Sequence, residues 1–432
     1  MTFALPDSVV YSVPVELRNF IVNRSGVKEE MMELLSPAGG PAQLRAALRF
    51  GADAVYGGLK RFGLRAAADN FDWEELDEAL RLVHASGKRF YLTMNILPYD
   101  EEMEALAADA GRARELGVDG AIVSDPGVFS LLRSRVPDLP LHISTQANVM
   151  NSAAARLYAG MGAERIVLSR ELSLKQIARI RSRLPENVQL EAFVHGAMCM
   201  SHSGRCMLSD YLTGRGANRG ACTQPCRWEY TILEAKRPDE PMPVLEDERG
   251  TYIFSAYDLN MLSYLPEMRD AGIASLKIEG RMKTEYYVAA VTRVYRAALD
   301  LLAQSESAYR GALPELQEEL LKVGHRESNT GFYFGAPRPA SGADKTTWTM
   351  TYAGRVLEVR DGRMLAEIKN RFSAGEQLEL LTPAGARVFT VESIFREDTG
   401  ESVPCVTVAG HRVWIPVPFQ AEPGDYLRKS VS

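Results

Sequence analysis

The chain has 432 residues, 46% of them apolar and 25% charged, with 34 glycines and 22 prolines, a composition that excludes disordered and fibrous classes. No apolar run of about 18 residues occurs, and the first thirty residues lack the basic, apolar and small-residue order of an export signal, so the expectation is a cytoplasmic protein with no membrane segment. A net charge of −6 argues against wholesale coating of nucleic acid, yet between Cys199 and Arg237 six cations stand against three carboxylates.

Residues 1–31 join no periodic pattern and read as an extension outside the core. A repeating unit then begins, in which an amphipathic helical stretch ends at glycine and a short apolar strand comes next, as at Gly51, Gly87, Gly117, Gly162 and Gly272. Candidate strands lie near 33–36, 53–57, 89–95, 120–125, 141–146, 165–170, 189–196 and 275–280. Eight such units over 32–310 predict an α/β fold, a TIM-type (β/α)8 barrel. A doubly wound open sheet is the runner-up, without a G-x-G-x-x-G after the first strand to support it.

Alternation along the strands predicts which residues face the barrel interior. In the fifth strand it separates His142, Ser144 and Gln146 from Leu141 and Ile143. In the seventh strand it sets Glu191, Phe193 and His195 apart from Leu190, Ala192 and Val194. In the eighth strand it turns Lys277, Glu279 and Arg281 inward and packs Leu276 and Ile278 under helices. Polar groups at the carboxyl ends of strands suit an active face, and structural ion pairs are the competing reading.

An insertion at 197–257 precedes the eighth strand and carries two strand-like stretches, 228–233 and 251–254, before Asp258-Leu259 opens a helix. A further helix is expected over 284–304, then a Gly- and Pro-bearing linker over 311–345. The last segment, 346–432, reads as a small C-terminal all-β barrel containing Cys405 as a core residue.

Four of the five cysteines, Cys199, Cys206, Cys222 and Cys226, fall inside the insertion at spacings C-x6-C, C-x15-C and C-x3-C. Four thiolates can complete a tetrahedral zinc site or an iron–sulfur cluster. The absence of a C-x2-C knuckle favours iron–sulfur over zinc. A Cys/His nucleophilic site using His195 or His202 is weaker, because it leaves three thiols unexplained.

The run Glu191-Ala192-Phe193-Val194-His195-Gly196-Ala197-Met198-Cys199, with Ser203-Gly204-Arg205-Cys206, resembles the signature of the collagenase-like, U-type peptidase family. Glu33 to Gly39, Ser124 to Gly127, Ser169 to Ser173, Leu276 to Arg281 and Val413 to Pro418 are similar to its tRNA-hydroxylating branch. The resemblance implies prephenate-dependent hydroxylation of the wobble uridine of tRNA to 5-hydroxyuridine, with the four cysteines holding a 4Fe-4S cluster and the tRNA anticodon loop as partner. Arg170 and Arg281 are the candidates for binding carboxylates, Arg215 and Arg219 for RNA, and Glu191, His195, Lys277 and Glu279 for proton transfer. A peptidase, or a zinc-stabilised RNA-binding factor without catalysis, are the alternatives.

Overall fold

The computed structural model describes residues 31–64, 68–199, 206, 208–225, 228, 231–234, 237–243, 257–335 and 346–431. Eight short strands, β1 (Glu33–Pro37), β2 (Ala54–Gly57), β3 (Arg89–Met94), β4 (Gly120–Val123), β5 (Leu141–Ile143), β6 (Arg165–Val167), β7 (Gln189–Ala197) and β8 (Ser275–Ile278), pair in parallel, each with the next. Pairing of β8 with both β7 and β1 closes the barrel. Helices α1 (Pro41–Arg49), α2 (Trp73–Ala85), α3 (Asp100–Leu116), α4 (Pro126–Arg135), α5 (Ser152–Gly160) and α6 (Leu174–Arg181) succeed the first six strands. After β8 come α7 (Glu285–Gln304) and α8 (Glu306–Leu321). Several helices start where side chains satisfy their free N–H groups, as at Asp72, whose carboxylate accepts from the Glu75 N–H while the Glu75 carboxylate accepts from the Asp72 N–H. The barrel is therefore as expected, with the polar ends of several expected strands released into loops: Ser144 caps a short turn over Thr145–Ala147 instead of prolonging β5.

The insertion differs from its reading. Asp258–Asn260 forms a strand, not the start of a helix, running antiparallel to His195–Ala197 of β7. Asp258 is fixed there by Arg326, whose guanidinium donates at 2.9 and 3.2 Å and whose backbone N–H donates at 3.1 Å. The helical turn begins at Leu265–Asp270. A hairpin exists, pairing Thr231–Glu234 with Arg237–Pro243; the expected strand at 251–254 lies outside the described residues, as do residues 1–30. The segment read as a linker from 311 is helical to Leu321, because Tyr309, Leu316 and Leu320 bury on one side of α8 and outweigh Gly311 and Pro314.

The C-terminal domain is all-β, an eight-stranded antiparallel sheet with its own core of Val356, Met364, Ile368, Leu378, Ile394, Ile415 and Leu427. Cys405 is exposed rather than buried, since the inward position of its two-residue strand belongs to Val406. The domain is fastened to the barrel by Arg428, fully buried between Glu319 of α8 at 2.6 Å and Glu379 at 2.7 Å, and by Tyr352 stacked on Tyr286 of α7. Among the described residues no helix is long and apolar enough to cross a membrane.

Candidate active site

The lower barrel interior is filled by charge. Arg165, at the start of β6 and 2% exposed, donates to Glu33 of β1 at 2.6 Å and to Glu191 of β7 at 3.1 Å. Glu191 also receives Lys277 of β8 at 2.8 Å, and Glu33 receives Arg89 at 2.7 Å and the Tyr91 hydroxyl at 2.9 Å. Burial pushes the Glu33 carboxyl up, but Arg165 and then Arg89 outweigh it and hold the group below the usual carboxylate range. His142 lies in the same layer, edge-on to Tyr91; burial, then the positive field of Arg165 and Lys277, keeps it neutral far below the ordinary histidine value.

Above this layer, at the carboxyl ends of the strands, opens a cavity of about 210 Å³. Its walls bring together Arg170, Lys277, Glu279, Lys283 and Arg281, the polar groups of Thr93, Asn95, Ser144 and Gln146, the rings of Tyr56 and Phe193, and three cysteines, Cys199, Cys206 and Cys222. Among the described residues four cations thus line it with one carboxylate. Three of them are visibly positioned. Lys277 sits 4.3 Å over the Tyr56 ring while held by Glu191. Arg170 lies over Phe193 at 3.7 Å, donates to the Ala197 carbonyl at 2.9 Å and approaches Glu279 at 3.5 Å. Arg281 donates to Thr93 at 2.8 Å and Asn70 at 2.6 Å. Its loop presses so closely on the turn after β1 that a Cβ at Gly39 would stand 2.0 Å from the Arg281 carbonyl oxygen, which accounts for the glycine ending Ser36-Pro37-Ala38-Gly39.

Two of the proposed catalytic residues do not reach this cavity. Glu191 lies beneath the cavity floor, fully buried, and acts on the site through Lys277. His195 is turned away altogether. Alternation placed it inward, but the register with β8 slips at this point, Lys277 pairing with Phe193 and Ile278 with His195, so that Val194 is an extra residue. A bulge of this kind inverts the phase of every later residue in the strand. His195 consequently packs against Tyr295 of α7 at 5.6 Å, and burial lowers its pKa to about 4. Gly196 completes the distortion with φ of +103° and a Cβ position 2.3 Å from the Glu279 carbonyl oxygen, a conformation and a clearance open to glycine alone.

Backbone groups hold two of the cysteine sulfurs. Cys206 Sγ accepts the Leu208 N–H and Cys222 Sγ accepts the Gln224 N–H, both at 3.3 Å. The side chain of Asn218 grips both backbone groups of Cys206, at 3.2 Å each. Among the described residues no three His, Cys, Asp or Glu side chains are gathered closely enough to hold one metal ion as they stand, and Cys226 lies outside the described residues. What fits a thiophilic metal group is the donor chemistry: three unbridged thiols facing one cavity, two of them already accepting N–H bonds.

Of the proposed RNA-binding arginines, Arg215 is exposed near the mouth. Arg219 is otherwise engaged. It forms a two-pronged pair with Glu102 at the start of α3, at 2.9 and 3.0 Å, and covers the Tyr99 ring at 4.2 Å. It clips the insertion to the barrel. Thr93, Asn95, Asn70 and Lys283 are site residues that sequence reasoning missed; Thr93 and Asn95 had a signal in their place at the carboxyl end of β3, while Asn70 and Lys283 sit in loops that carry none.

A closed parallel barrel whose charged, cysteine-bearing cavity lies at the carboxyl ends of its strands defines a TIM-barrel protein with an enzyme-type site. Comparison gives the family: residues 39–342 match peptidase family U32 and 349–428 match its C-terminal domain, and the chain belongs to that family. It is 37% identical, over 90% of its length and 94% of the relative's, to the tRNA hydroxylation protein P of Escherichia coli strain K12. It is 32% identical to a collagenase of Porphyromonas gingivalis, over 91% of this chain and 97% of that one. To the 23S rRNA 5-hydroxycytidine C2501 synthase of Escherichia coli it is also 32% identical, over 90% of this chain and 57% of the longer relative.

Proposed function

We propose that the chain is an RNA-modifying enzyme that hydroxylates the wobble uridine of tRNA to 5-hydroxyuridine, using prephenate and a 4Fe-4S cluster held by Cys199, Cys206, Cys222 and Cys226. The observation that carries this reading is the meeting of three of these thiols with four cations in one cavity at the barrel mouth. The names of the relatives support RNA hydroxylation as the class of reaction.

When bound, such a cluster supplies redox-active iron. The chain's own groups do the rest. Arg170 and Arg281, each fixed by ring or hydroxyl contacts before any ligand arrives, suit the two carboxylates of prephenate, and a preorganised cation loses little entropy on binding. Lys277, anchored by Glu191, places its Nζ at the cavity floor, and Glu279 offers a carboxylate at the wall. A loop uridine is unstacked at lower cost than a paired base, so the cavity can take a ring delivered from the anticodon loop. The peptidase reading has less behind it, since of the two histidines that flank Cys199, His195 is buried against α7 and His202 lies outside the described residues.

The test is mass spectrometry of tRNA from cells with and without the gene. Loss of 5-hydroxyuridine, restored by the wild-type gene and not by Cys222→Ser, is expected; unchanged 5-hydroxyuridine refutes the reading. Protein purified without oxygen should absorb broadly near about 400 nm from thiolate-to-iron charge transfer. Cys222→Ser should lose that band and Cys405→Ser should keep it, whereas stoichiometric zinc in place of iron would eliminate the cluster.

A further inference from the structure

Beside the cavity the cysteine segment carries aromatic side chains that the proposed chemistry does not use. Tyr211 is 85% exposed and Trp228 is 46% exposed. Single exposed apolar residues are ordinary, but these two stand on segments that also line the cavity. Tyr211 belongs to the short helix Leu208–Thr213, of which Leu208 is a wall residue. Trp228 donates its backbone N–H at 3.1 Å to the carbonyl of Pro225, also a wall residue.

The helix is locked to the strand of chain that leads to Pro225. The fully buried Ser209 hydroxyl donates to the Arg215 carbonyl at 2.7 Å and accepts the Thr223 N–H at 3.1 Å, and the Thr213 hydroxyl lies 3.3 Å from that of Thr223. These bonds tie the turn together beneath the exposed Tyr211. Arg215 is exposed on the same turn.

We propose that Tyr211 and Trp228 form a stacking platform for the unpaired bases that flank the target nucleotide, with Arg215 meeting their phosphates. This rests on the RNA reading above and deepens it. Exposed flat rings and an exposed guanidinium on segments that also line the cavity are the chemistry by which single strands are held without regard to base identity, and a duplex, whose bases are already stacked, gains nothing from them. Continuity with the cavity fixes the occupant as the same RNA loop that delivers the reacting base.

The experiment measures binding of the full-length protein to a fluorescent anticodon stem-loop RNA and to a fully paired RNA of equal length, over a range of salt. Tyr211→Ala and Trp228→Ala should each weaken stem-loop binding by about ten-fold or more without changing its salt dependence or the duplex binding. Tyr211→Phe, which keeps the ring, should bind as the wild type does. Arg215→Gln should lower the slope of log affinity against log salt by about one. Alanine variants that bind the stem-loop normally while the wild type binds it well would overturn the platform and leave the RNA reading standing. A Tyr211→Phe protein as weak as Tyr211→Ala would also overturn it, because stacking needs no hydroxyl. A wild-type protein that binds neither RNA would take down both.

Discussion

Replacement of Arg165 by Met tests whether the charge layer under the cavity is as tightly coupled as its distances say. Met conserves much of the volume but removes the guanidinium that meets Glu33 at 2.6 Å and Glu191 at 3.1 Å. Breaking a buried ion pair from one side typically costs about 3–5 kcal/mol, because the remaining charge stays desolvated. Here each carboxylate keeps one cation, Arg89 on Glu33 at 2.7 Å and Lys277 on Glu191 at 2.8 Å, which places the expected loss near the lower end, about 3 kcal/mol. With a urea dependence of about 3 kcal/mol per molar, the barrel's unfolding midpoint at neutral pH should fall by about 1 M. The pH dependence gives the sharper check. In the wild type Glu33 is held below its unfolded value of about 4.3, so it contributes stability above that pH and loses it as pH falls through the lower folded value. Without Arg165 the folded carboxyl of Glu33 titrates higher than in the wild type, because burial is then opposed by Arg89 and Ser275 alone, so the folded variant takes up a proton before the folded wild type on acidification. The deficit relative to wild type should therefore narrow as the pH falls from 7. A midpoint within about 0.3 M of wild type, or a deficit that widens toward pH 5, would refute the coupling.

Two further outcomes rest on the slip in register between β7 and β8. Ile278 is completely buried against the helix layer, so Ile278→Ala should cost about 2–5 kcal/mol by chemical denaturation. His195→Phe should fold and retain activity, since the ring lies among Tyr287 and Tyr295 and not in the cavity. It should also remove an acid sensitivity: a histidine with a folded pKa of about 4 and an unfolded one near 6.5 gives stability that is complete above about pH 6.5 and lost as pH falls toward 4. A His195→Phe protein that folds but has no activity would return His195 to the site.

The barrel was legible because its signals are local and repeated. Helix ends at glycine and apolar strands recur at short intervals, and each unit reports on itself. Lys277 was legible as inward-facing for the same reason, since β8 keeps its alternation from Ser275 through Lys277, whereas Arg281 reaches the cavity from the loop after β8 and not by alternation. His195 was misread because a bulge depends on the partner strand, and period-two reasoning carries no warning of one. The helical run of α8 through Pro314 and the strand at Asp258 were hidden likewise: one is stabilised by burial of Tyr309, Leu316 and Leu320, the other by Arg326, and both partners are remote in sequence or supplied only by the fold. Arg219 looked like a surface cation on composition alone. Its carboxylate partner, Glu102, lies 117 residues earlier.

The vertical order of charges inside the barrel bears on which ligand the cavity selects. In the lower layer, Glu33 and Glu191 are matched by Arg165 and Lys277, and the half-exposed Arg89 reaches Glu33 from the rim. In the cavity above, Arg170, Lys277, Lys283 and Arg281 stand with Glu279 as the one carboxylate among the wall residues. Lys277 belongs to both layers and is already neutralised by Glu191, and Glu279 offsets one charge more, so the wall keeps a positive excess for an incoming anion. Arginines fixed at the ends of two different strands favour a ligand with two separated carboxylates over one with a single negative group, since each guanidinium can then face its own oxygens in paired geometry. On the proposed function, a neutral pyrimidine ring would gain little from these cations and would depend on the RNA backbone for its delivery. The proposed ligands would then divide by charge, a compact dianion within and a nucleic-acid loop above, with the thiols of Cys199, Cys206 and Cys222 on the wall that both would share.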